Sequence, residues 1–140
     1  MTRKIIVKGR IPAREVCQTW HEGPLAVISI NGPDQTPNPL GDNPLVGPVL
    51  TLFFADSDEA DGMSRADAQK VAAFVHGLPA GQALLVHCGA GVSRSAGVAA
   101  AIDKWETGDD MDWFRDRRPN MRCYRYVLEA LMTADQVGAR

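Results

Sequence analysis

The stretch that decides the fold is ALLVHCGAGVSRSAGVAAA, residues 83–101. ALLVH (83–87) is apolar at successive positions, so it reads as a strand buried on both faces, as at the centre of a parallel sheet. Cys88 to Arg94 form a loop of small residues, and SAGVAAAIDKWE (95–106) reads as a helix poor in bulk, packed closely on a neighbour. A loop that runs from the carboxyl end of a strand into a helix is where open α/β sheets bind ligands. Gly89 and Gly91 allow a tight turn that aims amide N–H groups into one concavity. The helix start adds the positive end of its dipole. Arg94 adds a planar, permanently charged fork that matches two oxygens of an oxyanion. Cys88 sits at the rim of this cradle. The same field favours thiolate over thiol, so the cysteine is expected to be nucleophilic near neutral pH.

Outward from that loop, strands and helices alternate. KIIVKG (4–9) reads as a short strand and PAREVCQTW (12–20) as a helix with Pro12 in its first turn. PLAVISI (24–30) reads as a buried strand and VLTLFF (49–54) as the next strand. Residues 31–48 between them hold five of the nine prolines and read as a long loop. SRADAQKVAAFVHGL (64–78) is an amphipathic helix capped by Ser64, with Val71, Phe74, Val75 and Leu78 on one stripe. DMDWFRDRRPN (110–120) reads as a short helix and turn. MRCYRYVLEALMTADQV (121–137) is a final helix with Tyr124, Val127, Leu128, Leu131 and Met132 on its apolar face. The alternation predicts one α/β domain over residues 1–140, with a mainly parallel central sheet of about four strands flanked by helices.

Composition narrows the class. A chain of 140 residues buries a core without disulfides or metals. The net charge of −2 gives no overall pull toward nucleic acid or an anionic membrane, and neither is expected as a partner. Cys17, Cys88 and Cys123 are odd in number and widely spaced. This argues against a disulfide framework or a cysteine-rich zinc site and fits a reducing cytoplasm. MTRKIIVKGR carries only a three-residue apolar run, too short for a secretory leader.

Three readings of the loop compete. As a dinucleotide fingerprint GAGVSR lacks its third glycine. Gly91-Val92-Ser93-Arg94-Ser95 approaches a nucleophile elbow, but no HGGG-like segment precedes it. A tight turn with an inert cysteine leaves Arg94 unexplained, since arginine is rarely buried without an anion.

The segment His87-Cys88-Gly89-Ala90-Gly91-Val92-Ser93-Arg94-Ser95 resembles the signature HC-x5-R-[ST] of the cysteine-dependent protein tyrosine and dual-specificity phosphatases. It looks most like the small bacterial and phage-type members, over roughly residues 25 to 135 and more loosely away from the loop. The resemblance implies phosphomonoester hydrolysis in two steps, most readily on phosphotyrosine, with phosphoserine and phosphothreonine also possible. Cys88 would attack phosphorus. Residues Gly89 to Ser93 and Arg94 would hold the phosphoryl oxygens, and Ser95 would hydrogen-bond the sulfur. His87 would help set the sulfur's pKa. No metal or other cofactor is required. The expected partner is a phosphorylated protein or a small phosphomonoester. A phosphate-binding module with little catalysis, and a thiol enzyme of sulfur or arsenate chemistry, use the same loop.

The family also needs a general acid on a loop well upstream. ADSDEADG offers Asp56, Asp58, Glu59 and Asp61. Asp56 stands 32 positions before Cys88, directly after LTLFFA, and is preferred over Asp58. Without a role this cluster is a solvated acidic loop. The five variable loop positions carry no base, which favours a single phosphate over a polyphosphorylated ligand. Arg115, Arg117, Arg118, Arg122 and Arg125 read as a solvated face, and RPN resembles a structural turn of the bacterial members. Trp20, Trp105, Trp113 and Phe114 read as core or interface aromatics. Cys17 and Cys123 are expected to be buried, and either could pair with Cys88 on oxidation.

Overall fold

Four strands line up in the order β1-β4-β2-β3, every neighbouring pair parallel. They are β1 (Ile5–Lys8), β2 (Leu25–Asn31), β3 (Val46–Phe53) and β4 (Ala83–His87). The helices are α1 (Arg10–Thr19), α2 (Arg65–His76), α3 (Arg94–Thr107), α4 (Met111–Asp116) and α5 (Met121–Gly138). The structure is a computed structural model that describes residues 3–138, with side-chain surroundings for residues 3–133. Among the described residues no helix is long and apolar enough to cross a membrane.

Strand periodicity sorts the core into two layers. Leu25, Val27 and Leu85 face α1, where they meet Ala13, Cys17 and Trp20. Ala26, Ile28, Ile30, Leu84 and Val86 face the opposite side, where α2, α3 and α5 pack through residues such as Val71, Val75, Val98, Ile102, Val127 and Leu131. The same alternation turns consecutive side chains His87 and Cys88 to opposite faces. β4 is flanked by β1 and β2, as its doubly apolar pattern predicts. β2 is buried at every position.

Ser64 caps α2 through a reciprocal box, accepting from Asp67 N–H at 3.0 Å while its own N–H donates to Asp67 Oδ2 at 3.1 Å. Such caps contribute about 1 kcal/mol. α2 stops at His76, where Gly77 N–H closes on Ala73 and Phe74 carbonyls, so Leu78 lies beyond the helix. α3 can be poor in bulk because α5 presses on it. A β-carbon at Gly97 would stand 2.5 Å from the Asn120 carbonyl oxygen.

Three sequence expectations change. The loop expected over 31–48 is shorter at both ends, because Asn31 completes β2 and β3 begins at Val46. Met132 leaves the apolar face of α5 and is 53% exposed. The buried stripe follows Cys123, Val127 and Leu131 at four-residue steps, and Met132 is one step off it. Phe114 is exposed rather than core, with its ring edge-on to Tyr124 at 5.2 Å.

Candidate active site

Cys88 stands immediately after β4, 2% exposed. Its Sγ lies 3.0 Å from Ser95 Oγ, and Gly91 N–H donates to it at 3.3 Å. Burial alone would raise the thiol's pKa. The hydroxyl and N–H of Ser95, the N–H of Gly91 and the nearby Arg94 charge outweigh that cost, and the pKa falls below the ordinary value. Burial instead raises Cys17, and it drives Cys123 well above the usual thiol range. Of the three cysteines, Cys88 is the one held ready to ionise.

The loop owes its shape to its carbonyls, which are tied outward. Gly89 O accepts from Arg10 N–H at 3.0 Å and Gly91 O from Arg117 Nε at 3.2 Å. Val92 O accepts from Arg118 N–H at 3.2 Å and Ser93 O from Asn120 N–H at 2.9 Å. These carbonyls are committed to α1 and to the segment joining α4 to α5, and Gly91 N–H turns inward to Sγ. Gly91 has φ +75°, and a β-carbon there would meet the backbone of Lys8 and Gly9 at 2.5 Å. Only glycine fits that approach. The arginine-rich RDRRPN segment, read as a solvated face, is therefore partly a brace. Arg117 also stacks over Trp113 at 5.4 Å.

Arg94 opens α3 and is half-buried. Its Nη1 donates to Phe54 O at 2.9 Å, and Nη2 lies 3.2 Å from where a side chain at Gly89 would begin. The guanidinium thus lies across the loop, anchored at one nitrogen.

Two of the four acidic candidates take hydrogen bonds from elsewhere in the fold, and they diverge. Asp56 Oδ1 accepts from Ser93 Oγ at 2.7 Å and from Asn120 Nδ2 at 2.9 Å. Asp58 Oδ1 accepts from Arg122 N–H at 3.1 Å, so this carboxylate caps the first turn of α5. Asp56 is joined to the cysteine loop, and Asp58 is joined to a helix end.

His87 makes no hydrogen bond to the sulfur, because it points to the other face of the sheet. Its Nδ1–H donates to the Cys88 carbonyl at 3.3 Å. Its Nε2 accepts from Ser29 Oγ at 2.6 Å and from Asn38 Nδ2 at 3.3 Å. A carbonyl can only accept and an amide NH2 only donate, which fixes this tautomer. Burial pushes the imidazole down to about 4 against the opposing hydrogen bond to the Cys88 carbonyl, with smaller help from the Arg10, Arg94 and Arg14 charges. It stands neutral behind Cys88.

This network escaped the sequence reading. Asn38 is the buried residue of an otherwise exposed or half-exposed segment. It accepts from Arg14 Nε at 2.7 Å and donates to the Arg10 carbonyl at 2.9 Å. Asn31 Oδ1 accepts from Arg10 Nη1 at 2.8 Å and from Asn38 N–H at 3.2 Å. The proline-rich loop is thereby pinned to α1 and to His87. One signal was available: Ser29 and Asn31 are alternate polar residues in an apolar strand, which marks one polar face.

A groove of about 610 Å³ lies between α2 and α5. None of its lining residues belongs to the cysteine loop or the acidic segment.

The fold is that of the protein tyrosine and dual-specificity phosphatases. DUSP15 superposes with a TM-score of 0.66 at 20% identity, over 99% of this chain and 93% of that one. The Yvh1 phosphatase domain from Chaetomium thermophilum gives 0.63 at 16% identity, over 96% and 94%. The human tyrosine phosphatase-like serine/threonine/tyrosine-interacting protein gives 0.62 at 20% identity, over 97% and 93%. No family model matches the chain, and no curated protein matches it in sequence.

One pH dependence follows directly from the sulfur's surroundings. Iodoacetate alkylation of Cys88, followed by peptide mapping across pH, is expected to show a midpoint below that of an ordinary thiol. In Ser95→Ala the midpoint moves up, because a donor to the thiolate is lost while burial stays. An unchanged midpoint would remove Ser95 from the account.

Proposed function

We propose that the chain hydrolyses phosphomonoesters through a cysteinyl-phosphate, with protein phosphotyrosine as the favoured substrate class and phosphoserine or phosphothreonine as the alternative. The observation that carries this reading is one assembly: a sulfur with two donors, an anion-shaped loop with outward carbonyls, and a carboxylate hydrogen-bonded to that loop.

In the first step the Cys88 thiolate attacks phosphorus in line. The S–P bond forms, the P–O bond to the leaving group breaks, and protonated Asp56 gives its proton to the departing oxygen. In the second step water attacks phosphorus, Asp56 takes the water's proton, and the S–P bond breaks to release inorganic phosphate and the thiolate. The inward N–H groups and Arg94 stabilise the equatorial oxygens in both steps. Ser95 stabilises the departing sulfur in the second.

The loop side chains Ala90, Val92 and Ser93 offer no cation to a second phosphate, which supports a single phosphomonoester on a protein or small molecule. A sulfur or arsenate enzyme needs no leaving-group acid, so the bond from Ser93 to Asp56 favours hydrolysis over that chemistry.

Phenyl phosphate, with its basic leaving group, separates the two candidate acids. Asp56→Asn is expected to lower kcat by roughly 10²–10⁴-fold. Asp58→Asn is expected to leave kcat within a few-fold and the unfolding midpoint nearly unchanged, because the amide oxygen still accepts from Arg122 N–H. The reverse pattern would transfer the acid's role to Asp58.

A further inference from the structure

The acid proposed above sits on an exposed loop, yet an acid must meet the leaving oxygen at a fixed position. Asn120 is the residue that connects the two requirements. It is buried, and its backbone and side chain join three parts of the site. Its N–H donates to Ser93 O at 2.9 Å, which holds the cysteine loop. Its Oδ1 accepts from Cys123 N–H at 2.9 Å, which caps α5. Its Nδ2 donates to Asp56 Oδ1 at 2.9 Å and to Ser57 O at 3.3 Å, which holds the acidic loop.

The orientation of this amide is determined. Cys123 N–H can only donate, so the oxygen must face α5 and the NH2 must face Asp56. Ser93 Oγ and Asn120 Nδ2 both donate to Oδ1 of Asp56. Oδ2 is then the oxygen that carries the proton toward the leaving group. The bond from Asn120 to Asp56 could not be read from sequence, since the two residues lie 64 positions apart.

We propose that Asn120 is a positioning residue for the general acid: it fixes the Asp56 carboxyl in the frame of the cysteine loop. The inference rests on the reading of Asp56 as the acid. It differs from a merely structural role in what it predicts for different leaving groups. An activated ester such as dinitrophenyl phosphate departs without much help from an acid, whereas phenyl phosphate needs it.

The test compares kcat/KM on these two esters for wild type, Asn120→Ser and Asn120→Asp. Both replacements keep an acceptor for Cys123 N–H, and thermal unfolding reports whether the fold is kept. Asn120→Ser is expected to lose about 10–100-fold on phenyl phosphate, the scale of an ångström misplacement, and no more than about 3-fold on dinitrophenyl phosphate. Asn120→Asp, which matches the shape without the donor, shows the same selective loss. In an Asp56→Asn background, Asn120→Ser should change phenyl phosphate turnover no further.

Equal losses on both esters, or a loss that adds to that of Asp56→Asn, would overturn the positioning role and leave the functional reading intact. If wild type shows no Cys88-dependent turnover of either ester, the functional reading falls and this inference falls with it.

Discussion

Cys88→Ser is expected to lower aryl phosphate turnover by roughly 10⁴-fold or more, the scale seen when a covalent nucleophile is removed. The serine hydroxyl fills nearly the same space and keeps partners in Ser95 Oγ and Gly91 N–H, so the loop should hold its shape. What is lost is the thiolate. The surroundings that bring a thiol's pKa down cannot ionise a hydroxyl near neutral pH. The variant should therefore still bind inorganic phosphate or vanadate while turning nothing over. Loss of oxyanion binding together with loss of turnover would mean that the substitution deformed the loop. Full turnover by the variant would remove Cys88 from the chemistry.

Arg94→Lys is the second large effect. The ammonium keeps the charge but loses the fork. Arg94 uses Nη1 on the Phe54 carbonyl, which leaves the other guanidinium nitrogens for the phosphoryl group. A lysine cannot hold both at once. The expected result is a 10²–10³-fold fall in kcat, the cost of a lost transition-state donor in a preorganised site. KM should rise much less, because the equatorial oxygens need the fork most at the transition state. A change confined to KM would make Arg94 a binding residue only.

The parts of the site that were legible in sequence are those that are local in the chain. The doubly apolar ALLVH, the small loop and Arg94 lie in consecutive positions, so their strand-loop-helix arrangement follows from periodicity and glycine placement. The four-strand parallel sheet followed from the alternation of elements. The bracing was not legible. Arg10, Arg118 and Asn120 take up the loop's carbonyls through their backbone N–H groups, which side-chain identity does not announce, and Arg117 does so through its Nε from 26 positions away. The surroundings of His87 were hidden for a related reason. Its neighbour in sequence is Cys88, but strand alternation sends its ring to the opposite face, to Ser29 and Asn38. The acidic cluster gave four candidates of similar composition. Only tertiary packing separates Asp56, on the loop's Ser93, from Asp58, on the start of α5.

In the proposed reaction the phosphoryl group passes through the sulfur of Cys88. The direct measurement is rapid acid quenching during turnover of an aryl phosphate, followed by mass analysis of the peptide that carries Cys88. The account predicts a phosphoryl adduct on Cys88, more abundant in Asp56→Asn assayed with an activated ester, where water attack loses its base. Steady turnover with the phosphoryl group on another residue, or with Cys88 unmodified throughout, would contradict it.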